Sequence, residues 1–375
     1  MRTLCLGLHR KFKNGVFEEN KARLVARGNH QHPGVDSGES FLPVMRLESL
    51  RTLLALAAIR DLDVVQFDIT SAYLHGTLKE ELYMEQPEGY RVVEKPDWVW
   101  KLKKGFYGLV KAGRAWNEEL HSHMVGVGLA ATHKDPPVYV KGNWDQEEFV
   151  AGEFWVDGFV GIGSGKVLEV LAKGVDGKYG ITGFGNVKWI LGMLVERDRT
   201  ARTISISQEA FIGSLLTRFN LSDAAPVSTP ILSGVQLSTL DCPDSEEEKL
   251  EMKTRPYREL VGAPAWLALG TRPDITFAAA SRARFGHNPG RTHWEAAKRI
   301  LRWVVGRRSL LSSLTLTGLV IVTITDQLEL TLSRSKMVWL AGNRRNNCVS
   351  LCRLQKPNIG RSAKRRRSRC GWQIS

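Results

Sequence analysis

Alternation of apolar and polar residues predicts short strands in the first two thirds of the chain. Residues 21–27, KARLVAR, place apolar side chains at every second position, which is the period of a half-buried strand. Residues 148–163 predict two strands joined at Asp157-Gly158, because Asp-Gly is among the strongest short-range hairpin signals. The same pattern predicts further strands at 63–68, 98–103, 188–196 and 203–207.

Apolar residues spaced three and four apart predict helices on both sides of a linker. The linker is 222–245, where Pro226, Pro230 and Pro243 stand among Ser and Gly residues. The predicted helices are 47–59, 112–127, 166–178 and 208–219 before the linker, and 258–269, 274–285 and 292–305 after it. These elements indicate an α+β body followed by a smaller helical segment.

The net charge of +14 favours polyanionic partners such as nucleic acid. Residues 318–375 hold twelve Lys or Arg against Asp326 and Glu329, so this tail carries +10 and the rest of the chain +4. Within the tail, SAKRRRSR at 362–369 could be a nuclear-localisation or nucleic-acid patch, or a solvated, disordered run of charge.

The cysteines and the apolar runs predict where in the cell the protein is located. Five scattered cysteines do not predict a disulfide framework and favour a reducing, intracellular location, cytoplasmic or nuclear. The apolar run 310–325 is too short and too polar for a membrane span. The first twelve residues contain no small-residue cleavage site, so we expect no signal peptide.

Two aspartates at strand ends are candidate metal ligands. Asp68 ends the strand 63–68, and Asp157 lies at the tip of the predicted hairpin. Nucleotidyl transfer assisted by metal ions needs carboxylate oxygens delivered from separate strands onto one face. An isolated aspartate at a strand end is more often a turn former or a helix cap, so position alone leaves both interpretations open.

Eight sequence blocks give these aspartates a context. In chain order they are KARLVARG, QFDITSAYLHGTLKEELYMEQPEGY, KLKKGFYGL, WVDG, WILGM, PVSTP, TRPDI and HWEAAKRILRW. From about Lys21 to Arg307 the chain resembles the reverse transcriptase region of copia-type retrotransposon Pol polyproteins, in which WVDG is Tyr-Val-Asp-Asp. The resemblance implies an RNA-directed DNA polymerase, a nucleotidyltransferase of a transposable element.

The resemblance also implies a fold and a division into domains. The expected fold is α+β, a right-hand polymerase with fingers, a palm built on an antiparallel sheet and a helical thumb or connection. The expected domains are fingers and palm at 1–220, a linker at 221–245, a helical thumb or connection at 246–317 and a disordered basic tail at 318–375.

The family's site residues can be placed on this sequence one by one. Asp68 and Asp157 would be catalytic and would hold two Mg²⁺ ions, with the carbonyl of Ile69 as a further ligand and Mn²⁺ as an alternative ion. The ring of Tyr73 would exclude a 2′-hydroxyl and so select deoxynucleotides. The other interpretation of Tyr73 is a core tyrosine on the helix after the strand.

The expected partners follow from the same resemblance. Lys21 and Arg23 would clamp the incoming deoxynucleoside triphosphate, since cationic donors neutralise phosphate charge; otherwise they form a solvated basic strand face. An RNA or DNA template with its primer would be the other partner, and no membrane is expected.

Three departures from the family pattern weaken the expected activity. Gly158 stands where the family has the second hairpin aspartate, and Lys111 stands where it has a glutamine that contacts the nucleotide. The ribonuclease H region expected after HWEAAKRILRW is absent from the tail, as in a copy read out of frame past about Gly318. The sequence therefore predicts a weak or inactive polymerase fragment, with a catalytically silent nucleic-acid-binding relic of the same fold as the alternative.

Overall fold

The computed structural model describes residues 3–13, 16–31, 42–87, 89–143, 146–306, 313–316, 338–342 and 349–353. They form antiparallel sheets and helices, the α+β class predicted from the sequence. The strands are β1 (Thr3–Lys13), β2 (Val16–Ala26), β3 (Asp63–Ile69), β4 (Thr77–Glu85), β5 (Val99–Lys104), β6 (Ala130–Ala131), β7 (Val138–Lys141), β8 (Val150–Trp155), β9 (Gly158–Gly163), β10 (Ile181–Asn186), β11 (Trp189–Ile190), β12 (Met193–Asp198), β13 (Thr203–Ser207), β14 (Ser313–Leu316), β15 (Val338–Gly342) and β16 (Val349–Arg353). The helices are α1 (Leu47–Arg60), α2 (Ala112–Gly126), α3 (Gly165–Tyr179), α4 (Glu209–Arg218), α5 (Glu246–Lys253), α6 (Tyr257–Gly270), α7 (Thr276–Ala283) and α8 (Arg291–Val305).

The periodic patterns located most of these elements to within a few residues. The predicted helix 274–285 is instead a 3₁₀ turn at Pro273–Ile275 followed by the shorter α7. Proline suits such a start because it has no N–H to donate and its φ is already helical. The charged helix α5 was not predicted, and neither were the strands β1, β4, β6, β7, β10, β14, β15 and β16.

A six-stranded antiparallel sheet forms the centre of the body, with the strand order β10-β3-β9-β8-β7-β6. The register sets Asp68 of β3 opposite Gly158 of β9, and Gly158 opposite Trp155 of β8. The hairpin turn is therefore Val156-Asp157, one residue earlier than the predicted Asp157-Gly158. Val156 takes the left-handed φ of 57° that the turn needs, which leaves Gly158 free to pair as the first residue of β9.

The central sheet has two different faces. One, the aromatic face, packs Phe67, Phe154 and Phe159 against α2 and α3. The other, the carboxylate face, is formed by the alternate residues of the same strands. Val160 and Ile162 on this face pack with α1 and with the sheet of β12 and β13, and Asp68 lies near the sheet's edge beyond them.

The helices after the linker share a core with α4. Ile212 and Leu216 of α4 pack with Leu260 of α6 and Ile300 of α8. The linker itself contains one 3₁₀ turn, Thr239–Asp241, among its described residues. After α8, β14 pairs with β13 and completes a four-stranded sheet with the strand order β11-β12-β13-β14.

Most of the predicted tail, 318–375, lies outside the described residues. The described main chain within it forms the pair β15 and β16, which the prediction of a disordered tail did not anticipate. No helix in the described part of the chain combines the length and the apolar character that spanning a membrane requires.

Candidate active site

The main chain fixes Asp68 and Asp157 beside each other at the end of the central sheet. The N–H of Ile69 donates a hydrogen bond to the carbonyl of Asp157 over 2.7 Å, so the hairpin turn is held against the end of β3. Both aspartates are exposed. Partial desolvation of the Asp68 carboxyl group, and then the negative charge of Asp157, raise the pKa of Asp68. The two carboxylates are therefore close enough to repel each other.

Helix α2 supports the turn from the aromatic face. The indole Nε1 of Trp116 donates a hydrogen bond to the carbonyl of Val156, the residue before Asp157. Trp116 is otherwise buried against the rings of His75 and Tyr179. Sequence periodicity identified Trp116 only as part of an apolar helix face, because spacing does not show where an indole N–H points.

Tyr73 belongs to the same group of residues. It lies in a short 3₁₀ helix, Ala72–His75, directly after β3, and its half-buried ring packs edge-on against Tyr107 with 5.2 Å between centroids. Burial, then the charge of Asp157 and then Tyr107 raise the pKa of the Tyr73 hydroxyl. The structure thus brings together three of the predicted site residues, Asp68, Asp157 and Tyr73, and adds Tyr107, which the sequence reasoning missed.

The KARLVARG block contacts the KLKKGFYGL block through the two glycines Gly28 and Gly108. The N–H of Ala26, at the end of β2, donates to the carbonyl of Tyr107 over 2.7 Å. A Cβ at Gly28 would lie 2.1 Å from the carbonyl oxygen of Gly108, and a Cβ at Gly108 would lie 2.0 Å from that of Ala26. Only residues without a side chain permit this approach, which brings β2 close to Tyr73 through Tyr107.

The other predicted site residues are Lys21, Arg23 and Ile69. Lys21 and Arg23 lie in β2, paired with His9 and Gly7, but their side chains are outside the described residues. The main chain of Ile69 pairs with Ile181, and its buried side chain faces the aromatic cluster. No contact shows its carbonyl directed at the two carboxylates.

Lys111, which replaces the family's glutamine, is engaged elsewhere. Its ammonium group forms an ion pair with Glu80 on β4. Hydrogen bonding to Lys111 is the largest cause of the lowered pKa of Glu80.

The site contains two carboxylates where the family pattern has three. In the residues that the structure describes, no group of three or more His, Cys, Asp or Glu side chains could hold a metal ion. Hard cations such as Mg²⁺ take carboxylate oxygens, so Asp68 and Asp157 are donors of the right chemistry. Burial is the larger cause of the raised pKa of Asp68, and a cation between the two carboxylates would relieve the second cause, the repulsion by Asp157.

Sequence comparisons define the class of protein to which this arrangement belongs. Residues 8–233 match the family described as reverse transcriptase (RNA-dependent DNA polymerase), and the chain is a member of that family. It is 42% identical, over 76% of its length, to the retrovirus-related Pol polyprotein from transposon TNT 1-94 of Nicotiana tabacum. It is 33% identical, over 79% of its length, to the corresponding polyprotein from transposon RE2 of Arabidopsis thaliana.

These relatives confirm the resemblance to copia-type retrotransposon Pol polyproteins. The chain covers 22% of the tobacco polyprotein and 20% of the Arabidopsis polyprotein, about a fifth of each. No solved structure matches the chain.

Proposed function

We propose that this chain is an RNA-directed DNA polymerase fragment that binds primer-template and transfers nucleotides slowly. The observation that carries the proposal is the adjacency of Asp68 and Asp157, held by the hydrogen bond from Ile69 to the turn. Membership of the reverse transcriptase family supplies the reaction class. Gly158, opposite Asp68, stands where the family has a third carboxylate, and the loss of that carboxylate is the reason we expect slow transfer.

Each site residue has a proposed role. Asp68 and Asp157, with the Ile69 carbonyl, hold a divalent ion, Mg²⁺ or Mn²⁺. Such an ion neutralises phosphate charge and lowers the pKa of the attacking hydroxyl. The ring of Tyr73 lies against the sugar of the incoming deoxynucleotide, where Tyr107 supports it.

Basic residues have proposed roles in binding the triphosphate, and phosphate contacts hold the template and its primer. Lys21 and Arg23 on β2 neutralise the triphosphate of the incoming nucleotide. The fingers strand that carries them is joined to the site through Ala26 and Tyr107. The template, RNA or DNA, and its primer are held by contacts to phosphates, as in nucleic-acid-binding proteins generally.

Binding and catalysis respond differently to the missing carboxylate. Binding to nucleic acid sums many cationic contacts, so the loss of one acidic residue does not weaken it. Catalysis depends on a metal pair held by few ligands. Even a residue that only supports a ligand typically contributes about 10- to 100-fold to metal affinity or activity, and the loss of a ligand itself costs at least that much.

A second candidate function is a catalytically silent relic that binds nucleic acid with the same fold. The absence of any three-membered acidic cluster in the described part of the chain favours it, because two carboxylates are few for a pair of ions. The two candidates differ in whether the chain extends a primer at all.

Primer extension and binding, measured together, distinguish these candidates. The full chain and its Asp157→Asn variant are assayed on a poly-rA template with a labelled oligo-dT primer, under Mg²⁺ and under Mn²⁺. Binding to the same labelled duplex is followed by fluorescence anisotropy. We expect equal binding within about two-fold, slow extension by the unmodified chain that increases under Mn²⁺, and at least ~10-fold slower extension by Asp157→Asn.

The contrary outcomes are equally specific. No primer extension by the unmodified chain under either ion, with binding intact, would establish the silent relic. Extension by the unmodified chain that is no faster than extension by Asp157→Asn would contradict the assigned role of Asp157. Absence of salt-dependent binding by either protein would contradict both candidates.

A further inference from the structure

The backbone at Gly158 is covered by an aromatic ring. Trp155 is the direct cross-strand partner of Gly158, so both residues face the same side of the sheet. An ideal Cβ built on Gly158 would lie 2.5 Å from Cε2, 2.5 Å from Nε1 and 2.8 Å from Cζ2 of the Trp155 indole. These separations are shorter than carbon and nitrogen atoms tolerate without bonding, so any side chain at 158 requires the indole to move.

The indole is not free to swing away. Trp155 is half-buried and packs against the cluster that α1 forms with the carboxylate face of the sheet. A rigid bicyclic ring can leave its position only by changing rotamer, which would give up that packing. An aromatic ring lying over a glycine on the neighbouring strand also compensates for the missing glycine side chain.

Gly158 has a second neighbour of chemical importance. Asp68 is its cross-strand partner on the other side, in β3. A side chain at 158 would therefore stand between the indole of Trp155 and the carboxylate of Asp68. The WVDG hairpin differs from Tyr-Val-Asp-Asp at its first and last positions. These are Trp155 and Gly158, which contact each other here.

We propose that Trp155 and Gly158 form one coupled pair, in which the indole takes the space of a side chain at 158 and so determines which residues can stand beside Asp68. Trp155 is a positioning residue in this account. A carboxylate returned to position 158 reaches its place beside Asp68 only when Trp155 is also replaced. This last consequence rests on the proposed polymerase function, whereas the steric coupling does not.

A double-mutant cycle with uncharged replacements tests the coupling of Trp155 and Gly158 without any assay of activity. The full chain is compared with Gly158→Ala, Trp155→Leu and the double variant by thermal unfolding. Leucine keeps an apolar side chain at 155 but lacks all three indole atoms that approach position 158. Trp155→Ala, in the same cycle, provides a second background in case one replacement unfolds the chain.

We expect Gly158→Ala to lower the Tm by roughly 3 °C when Trp155 is present, because overpacking forces the ring to move. In the Trp155→Leu background the same change should leave the Tm equal or slightly higher, since alanine is usually preferred to glycine within a strand. Gly185→Ala on β10 is the matched control, because a Cβ there meets nothing within 4 Å. Its effect should be the same in both backgrounds. Additive Tm shifts for positions 155 and 158 would overturn the proposal.

Primer extension tests the consequence for the site. Gly158→Asp alone should extend a primer no faster than the unmodified chain, and Gly158→Asp combined with Trp155→Leu should extend it at least ~10-fold faster than Gly158→Asp alone. Equal rates for the single and double variants would overturn this consequence. If no variant extends a primer, the polymerase function fails, and the unfolding cycle still decides the coupling of Trp155 and Gly158.

Discussion

The two faces of the central sheet are made by the same strands and have opposite characters. On the aromatic face, Phe67 and Phe159 stack with 4.6 Å between ring centroids, and Phe154 completes the group. The carboxylate face carries Asp68 on β3 and Glu153 on β8, with β9 between them. A strand alternates its side chains between faces, so the same strands carry a cluster of aromatic rings on one side and acidic residues beside an aliphatic core on the other.

The acidic residues of the carboxylate face have raised pKa values. Burial and the charge of Asp157 raise the pKa of Asp68. Burial first, and then the charge of Asp135, raise the pKa of Glu153 to about 9. Both groups would ionise more easily in the unfolded chain, so the carboxylate face carries acidic residues at a cost in stability. Proteins commonly tolerate such a cost at functional sites.

Removing a ring from the aromatic face should produce the largest effect on stability. Phe159 is fully buried, and the glycines at 152 and 161 leave room for its ring, because a Cβ at either would lie within 2.5 Å of it. Phe159→Ala should lower the free energy of unfolding by about 3–5 kcal/mol, measured by urea denaturation. Phe184→Ala, at a position 42% exposed on β10, is the matched control and should cost about 0.5 kcal/mol or less. Equal losses at the two positions would contradict the assignment of the core to the aromatic face.

The buried acid on the carboxylate face should make stability depend on pH. The pKa of Glu153 is 4.5 when unperturbed and about 9 in the folded chain, where Asp135 and Glu48 add negative charge nearby. Between these values the folded chain keeps a proton that the unfolded chain has lost, so stability falls as pH rises. The fall should approach ~1.4 kcal/mol per pH unit, or about 2.7 kcal/mol from pH 6 to pH 8.

Glu153→Gln removes the titrating group and should flatten this dependence in urea unfolding at pH 6, 7 and 8. The exposed Glu196 on β12 offers a matched replacement, Glu196→Gln, which should keep the steep dependence. A slope that survives Glu153→Gln would show that another group is responsible.

The sequence was enough to nominate candidate site residues, but not to predict how their surroundings are packed. Asp68 and Asp157 could be assigned because strand endings and family motifs are local features of the chain. The pairing of Trp155 with Gly158 could not be predicted, because the hairpin turn lies one residue earlier than Asp-Gly suggested. A shift of one residue changes which side chains face each other across the strands.

Long-range contacts account for the other omissions. The hydrogen bond from Trp116 to the turn joins residues 40 positions apart, and no periodicity reports it. The glycines of KARLVARG and KLKKGFYGL were visible as motif letters, but their mutual contact needed the fold. Glu153 is fully buried because α1 covers that face, and the strand pattern at 148–163 did not indicate its burial.

Binding of Mn²⁺ to the full chain, followed by electron paramagnetic resonance, tests the central claim that Asp68 and Asp157 form one cation site. Titrations compare the unmodified chain with Asp68→Asn, Asp157→Asn and, as a control at an exposed loop position, Asp223→Asn. The account predicts one binding event that weakens at least ~10-fold in either site variant and is unchanged in the control. Affinities for Mn²⁺ that agree within about two-fold across all four proteins would contradict it.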